Sequence, residues 1–260
     1  MYAVEFIRGN RGQLLYRAPL KNGLRHGLVQ FWSSEGVLTS LATWIDGKVH
    51  GNVEDFYENG KYQQIQGYHE GLRSGLSESW YPNGQLEYRM YYRQGELHGC
   101  LQHWDSAGHL IERGNYRKGK MHGFQERWRK NGRPIRRFSY HKGRLHGVSE
   151  EWFSTGKLKI RTTYYRGECH GVSEGWYRNG QPLFRLNLLE GKNHGWLKSW
   201  YPNGRRMHRR PYKHGKLQGL FRKWWSNGKL SQQEYYRHGQ RKGMSERWDQ
   251  TGKYVSGTFY

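Results

Sequence analysis

Cysteine, proline and long apolar runs are scarce in this chain. Two Cys and six Pro among 260 residues leave no disulfide framework and no proline-rich linker. The apolar runs last only a few residues, well short of the roughly 20 that a transmembrane helix needs. The stretch Met1-Tyr2-Ala3-Val4-Glu5-Phe6 has no basic region leading into an apolar one, so no signal peptide is expected. Only 34% of residues are hydrophobic and mean hydropathy is −1.09. Those values do not describe a layered α/β enzyme, whose buried strands need Val/Ile/Leu runs. Acidic residues are short as well: 21 Asp and Glu face 44 Lys and Arg, a net charge of +23. Aromatics, by contrast, make up 16% of the chain, with 12 Trp and 20 Tyr, which excludes disorder.

Glycine organises what remains. It recurs every 24 residues from Gly23 to Gly239, again four positions later from Gly27 to Gly243, and a third time from Gly12 to Gly252. These three columns hold 31 of the 36 glycines, and ten units without an insertion or deletion mean a repeat architecture. Aromatics keep the same interval, in a column from Trp32 through Phe56 and Trp80 to Trp248, and in another from Trp44 through Tyr68 to Tyr260. Between glycines lie stretches of about eight residues, the length of a strand. Leu86, Tyr88, Met90 and Tyr92 alternate with Gln85, Glu87, Arg89 and Tyr91 at period two. Six of the third-column glycines follow asparagine, and Asn-Gly predicts a tight hairpin turn in which both residues take positive φ. The expected fold is therefore all-β: an elongated, single-layer antiparallel β-meander of about ten 24-residue hairpins, spanning on the order of 95 Å. Cross-strand aromatic ladders are expected to hold it together. One domain covers 1–260, with a partial unit at 1–22, the array at 23–252 and an edge strand at 253–260.

The fragment Tyr116-Arg117-Lys118-Gly119-Lys120-Met121-His122-Gly123 recurs nearly intact at 92–99, 140–147 and 44–51. In this pattern the chain resembles the MORN-repeat proteins, along essentially its whole length. Its Trp-Tyr-x-Asn-Gly segments (80–84, 176–180, 200–204) resemble the 24-residue variant of bacterial antitoxin-like proteins of the YwqK type, also carried by large DNA viruses of amoebae. The second glycine that eukaryotic members place two residues after His-Gly is missing, since Phe124-Gln125-Glu126 stands there. The resemblance implies a non-catalytic scaffold for protein–protein interaction or assembly, as a viral structural component or an antitoxin-like neutraliser.

The residues offer little chemistry of their own. Seven histidines share a column (His26, His50, His98, His122, His146, His170, His194), but neighbours about 10 Å apart cannot share one metal ion. They read as turn residues. Cys100 and Cys169 lie three units apart and are expected to stay unpaired, which fits a reducing, intracellular or cytoplasmic setting, or a virion assembled in one. No catalytic residue, cofactor or metal is expected. Six glutamates (Glu54, Glu78, Glu126, Glu150, Glu174, Glu246) form a further column, two residues before the Trp column.

Arginine is the most informative polar residue. Arg89, Arg113, Arg137, Arg161, Arg185 and Arg209 recur without interruption, and Arg17 has the same phase. They either pair with the glutamates or stack on Trp, or else form a binding stripe. Around Arg209 the glutamate column is broken by Lys198 and Arg222, so pairing is expected to fail there. Residues 1–130 carry 17 basic and 13 acidic side chains, whereas residues 131–260 carry 27 and 8. This asymmetry points to a polyanion, nucleic acid or anionic lipid, as the alternative partner. Strand alternation assigns Arg205 and Arg209 to the stripe, and Arg206 and Arg210 to the other face, with Lys213 as a further cation. The terminal strand, with Tyr254, Phe259 and Tyr260, is expected to be an open edge for self-association.

Overall fold

The computed structural model describes residues 1–260, which form strands and turns without any helix. No helix is therefore long and apolar enough to cross a membrane. Two compact units divide the chain, Met1–Gly132 and Arg133–Tyr260. In the first, strands from Tyr2–Arg8 to Lys120–Trp128 pair antiparallel with their neighbours in sequence. In the second, Pro134–His141 to Tyr254–Phe259 do the same. Each unit is thus an antiparallel β-meander built of hairpins.

Backbone chirality explains the glycine columns. All 31 periodic glycines have positive φ, and the five glycines outside the columns do not. The left-handed region is disfavoured for residues with a Cβ, so glycine is selected wherever the chain must reverse or bulge. At the first column the preceding residue is left-handed too, whatever its identity: Gln94 (51°) before Gly95 (82°), Lys118 before Gly119, Arg166 before Gly167. Two consecutive left-handed residues between paired Arg93 and Glu96 make the two-residue turn whose twist suits a hairpin.

The Asn-Gly pairs are built differently from the sequence expectation. Asn59, Asn83, Asn131, Asn179, Asn203 and Asn227 do not have positive φ; only the glycine after each does. At Asn83, Tyr81 N–H donates to Gln85 O (2.9 Å) and Gly84 N–H to Tyr81 O (2.8 Å). That is a three-residue loop closed by a left-handed glycine. Asparagine is there for its amide. Its Oδ1 accepts from Gln85 N–H (3.0 Å), and its Nδ2 donates to Ser106 O (2.8 Å) in the next turn along. Tyr81 reaches the same neighbour, its hydroxyl donating to Trp104 O (3.0 Å). The Tyr and Asn bonds recur at Tyr177 and Asn179 and at Tyr201 and Asn203. Where asparagine is absent, another residue caps the turn: Asp105 Oδ1 accepts from Ala107 and His109 N–H, and Asp249 Oδ1 from Thr251 and Lys253 N–H.

Little of either unit is buried, and what is buried is small. Tyr16, Ala18 and Val29 form the apolar cluster of the first unit, against Phe31 and Trp44, and Ala42 is buried as well. In the second unit the buried positions are chiefly hydroxyls: Ser149, Thr162 and Ser173 face one another on successive strands, and Thr162 and Ser173 hydrogen-bond at 2.8 Å. Aromatic contacts such as Tyr16–Phe31 and Phe56–Tyr62–Trp80 are local clusters rather than continuous ladders. Backbone pairing and turn-to-turn bonds carry the rest.

Two substitutions separate these contributions. Gly123→Val places a β-branched residue at φ 76°, where an added Cβ would clash with nothing, so the expected loss of about 1–3 kcal/mol in urea unfolding is conformational. Asn83→Ala removes two hydrogen bonds without altering φ and is expected to cost about 1–2 kcal/mol.

Candidate binding face

Pairing register turns the arginine and glutamate columns into one row. Cα partners in neighbouring strands point to the same face. In the first unit the row reads Arg17, Gln30, Leu41, Glu54, Ile65, Glu78, Arg89, Gln102, Arg113, Glu126. In the second it reads Arg137, Glu150, Arg161, Glu174, Arg185, Lys198, Arg209, Arg222, Gln233, Glu246. Arginine and glutamate therefore stand about 4.8 Å apart on adjacent strands.

Most of the stripe is neutralised from within. Arg89 Nε donates to Glu78 (2.7 Å), Arg113 Nη2 to Glu126 (2.6 Å), Arg161 Nε to Glu150 (2.8 Å), and Arg185 lies 3.2 Å from Glu174. Arg137 faces Glu150 in register. Arg17 donates to Gln30 Oε1 (3.1 Å). The alternation ends after Arg185. Lys198, Arg209 and Arg222 follow one another on adjacent strands with no acidic residue between them. Arg209 has no carboxylate partner: its guanidinium lies 3.5 Å from the ring centre of Trp196, and its buried Nε has no hydrogen-bond acceptor. Arg222 Nε donates only to the neutral Gln233 (2.7 Å).

A β-bulge decides where the neighbouring cations go. Ser199 pairs with His208 but Trp200 with Arg206, so alternation read back from Arg209 does not continue into the turn. Arg206 lies over the Trp224 ring at 5.4 Å, and Trp224 shares a strand face with Arg222. Arg205 sits in the turn, its guanidinium donating to Asn227 O. Trp200, Gly204, Arg205, Arg206, Trp224 and Gly228 together line an open groove of about 420 Å³. Arg210 is on the opposite face, over Phe221 at 5.5 Å, with His208 and Lys223 nearby. Lys213 is exposed, opposite Lys216. The strand Tyr254–Phe259 pairs only with Gln240–Trp248 and is exposed throughout, as is Tyr260.

The remaining polar columns serve the fold. His26 Nδ1 accepts from Asp46 N–H at the tip of the next hairpin (3.4 Å) and contacts the Asp46 carboxylate (3.2 Å). Gln218 accepts from His238 N–H in the same way (2.8 Å). Other histidines pack on neighbouring tips, as His50 on His69 and His194 on His214. No three His, Cys, Asp or Glu side chains converge as a metal site would require, and Cys100 and Cys169 are free thiols. Glu234, only 2% exposed, is the deepest carboxylate. Burial opposes its charge, but Tyr236, Gln232, Ser245 and Arg241 all engage it and hold its carboxyl below the usual range.

Hairpins whose turns are stitched at a 24-residue interval define a β-repeat architecture. Four stretches, residues 49–70, 73–94, 145–164 and 217–238, match the model of the MORN repeat variant. Both units of the chain thus carry repeats of the MORN variant. No protein of curated function matches it. Among solved structures it aligns with the crystal structures of TcdB2-TccC3-Cdc42 (11% identity, 99% of this chain and 18% of the other, TM-score 0.18) and TcdB2-TccC3 (10%, 99% and 18%, 0.16). The chain spans less than a fifth of either, and scores this low carry no argument about fold or function.

The opposite face predicts a pH dependence. Burial, followed by Arg210 and Lys223, lowers the pKa of His208 from 6.5 to about 4. A base depressed in the folded state contributes fully above its unfolded pKa, and that contribution is lost as pH falls from 6.5 towards 4. Urea unfolding across this window should show falling stability for the wild type and a shallower fall for His208→Asn.

Proposed function

We propose that this MORN-repeat protein acts without catalysis as a scaffold that binds and assembles protein partners. MORN repeats generally take part in protein or membrane binding. The observation that carries the reading is how the recurring polar chemistry is spent: His, Asn, Tyr and most Glu side chains are engaged by the adjacent hairpin. Recognition is thereby left to positions that differ from repeat to repeat. An antitoxin-like neutraliser or a particle component is a special case, and the two free thiols fit a reducing compartment for any of them. Cross-linking in the native extract, followed by intact-mass measurement, is expected to give one complex of fixed stoichiometry. A chain that stays alone, or that cross-links indiscriminately, would contradict the scaffold reading.

One observation favours a second reading, binding of a polyanion by the second unit. The ion-pair row loses its acidic partners at Lys198, Arg209 and Arg222. Like charges directly opposite one another on adjacent strands destabilise a sheet unless something neutralises them. Elution from heparin is expected to need high salt for the wild type and clearly less for K198Q/R209Q/R222Q. Equal elution of the two would remove this reading.

A further inference from the structure

Within that polyanion reading, on which this inference rests, we infer that the row Lys198–Arg209–Arg222 and the adjoining groove between Trp200 and Trp224 form a binding site for single-stranded nucleic acid. Three features of the second unit meet there.

The first is charge without compensation. Upstream in the second unit, each arginine of the row has a glutamate on the neighbouring strand, as in the Arg161–Glu150 and Arg185–Glu174 pairs. Lys198, Arg209 and Arg222 have none, and three cations succeed one another over about 10 Å. The second feature is the way Arg209 is held. Its guanidinium carbon lies 3.5 Å from the centre of the Trp196 ring, which restricts the fork's freedom, and no carboxylate faces it across the row. A guanidinium oriented in advance and lacking a carboxylate partner suits a phosphate oxygen. Third, the groove beside the row is lined by indoles and glycines as well as cations. Trp200, Trp224, Gly204 and Gly228 line it together with Arg205 and Arg206.

Phosphates on a cation row and a base against an adjacent indole are the two elements of single-strand recognition. An acidic peptide would use the cations but not the indoles. Duplex DNA would offer phosphates while keeping its bases stacked inside. Arg205 and Asn227 are joined across neighbouring turns by a hydrogen bond, so the groove is held open between two anchored loops.

The test compares strands of equal charge. Fluorescence anisotropy would measure binding of an oligothymidylate of about 20 nucleotides, longer than one site of roughly 4–16, and of an abasic strand of the same length. The wild type should bind the abasic strand about fivefold or more weakly, because the phosphates are the same and only base stacking is lost. K198Q/R209Q/R222Q should bind oligothymidylate about tenfold more weakly, with the slope of log affinity against log salt reduced by about two. Should loss of Arg209 disturb Trp196, K198Q/R222Q leaves that stack in place and should still reduce the slope by more than one. K48Q/K118Q/K120Q removes the same charge from the first unit and should change neither quantity. Equal binding of the two strands, with the row variants still weakened, would overturn the single-strand site and leave the polyanion reading standing. Binding that ignores the row variants would overturn both.

Discussion

The left-handed backbone at the glycine columns is the constraint on which everything else in this protein depends. Each repeat needs positive φ at three glycines and at one residue before the first of them. Because these positions recur at a constant interval, every strand starts in the same register as its counterpart one repeat earlier. Equivalent side chains are thus brought into contact with the neighbouring hairpin. Turn-to-turn bonds from Tyr81 and Asn83, and the bond from Gly95 N–H to Arg73 O (2.8 Å), exist only because of that alignment. A single inserted residue would turn the row face to the other side of the sheet.

Polar contacts take the place of a thick core. Where a globular domain would bury many leucines and phenylalanines, the second unit buries chiefly serine, threonine and one glutamate, with Phe221 the one large apolar side chain among them. Such groups tolerate burial only when they are hydrogen-bonded, as Thr162 is to Ser173 and as Glu234 is to its four neighbours. This mode of stabilisation explains how a chain with mean hydropathy −1.09 can fold. It also explains why the repeated Arg and Glu side chains are poor candidates for a binding role: most of them are already partnered.

Where the pattern lapses, function has room. Arg–Glu pairs neutralise Arg89 and Arg113 in the first unit and the run from Arg137 to Arg185 in the second, and the lapse at Lys198–Arg209–Arg222 coincides with aromatic rings on the same face. Repetition fixes a background against which such an exception can be recognised. Neither the exception nor the background is informative alone.

Much of this was legible in the amino-acid sequence, for a physical reason: a left-handed backbone selects glycine strongly enough to leave a visible mark. The 24-residue interval, the hairpins, the structural role of the histidines and the expected failure of pairing around Arg209 all follow from that mark and from charge. What Asn83 does was not legible, because asparagine suits a left-handed turn and a turn-bridging amide equally well, and only the location of Ser106 O distinguishes them. The union of the arginine and glutamate columns into one row was hidden as well, since register between strands depends on where bulges fall. The bulge at Trp200 and Arg206 likewise brought Arg206 beside Trp224 and left Arg205 in the turn, against simple alternation. Sequence determined the period, the strands and the charge, which are local or additive properties. Tertiary structure decided which charges meet, because that depends on backbone register across strands, and a shift of one residue reverses the face on which a side chain stands.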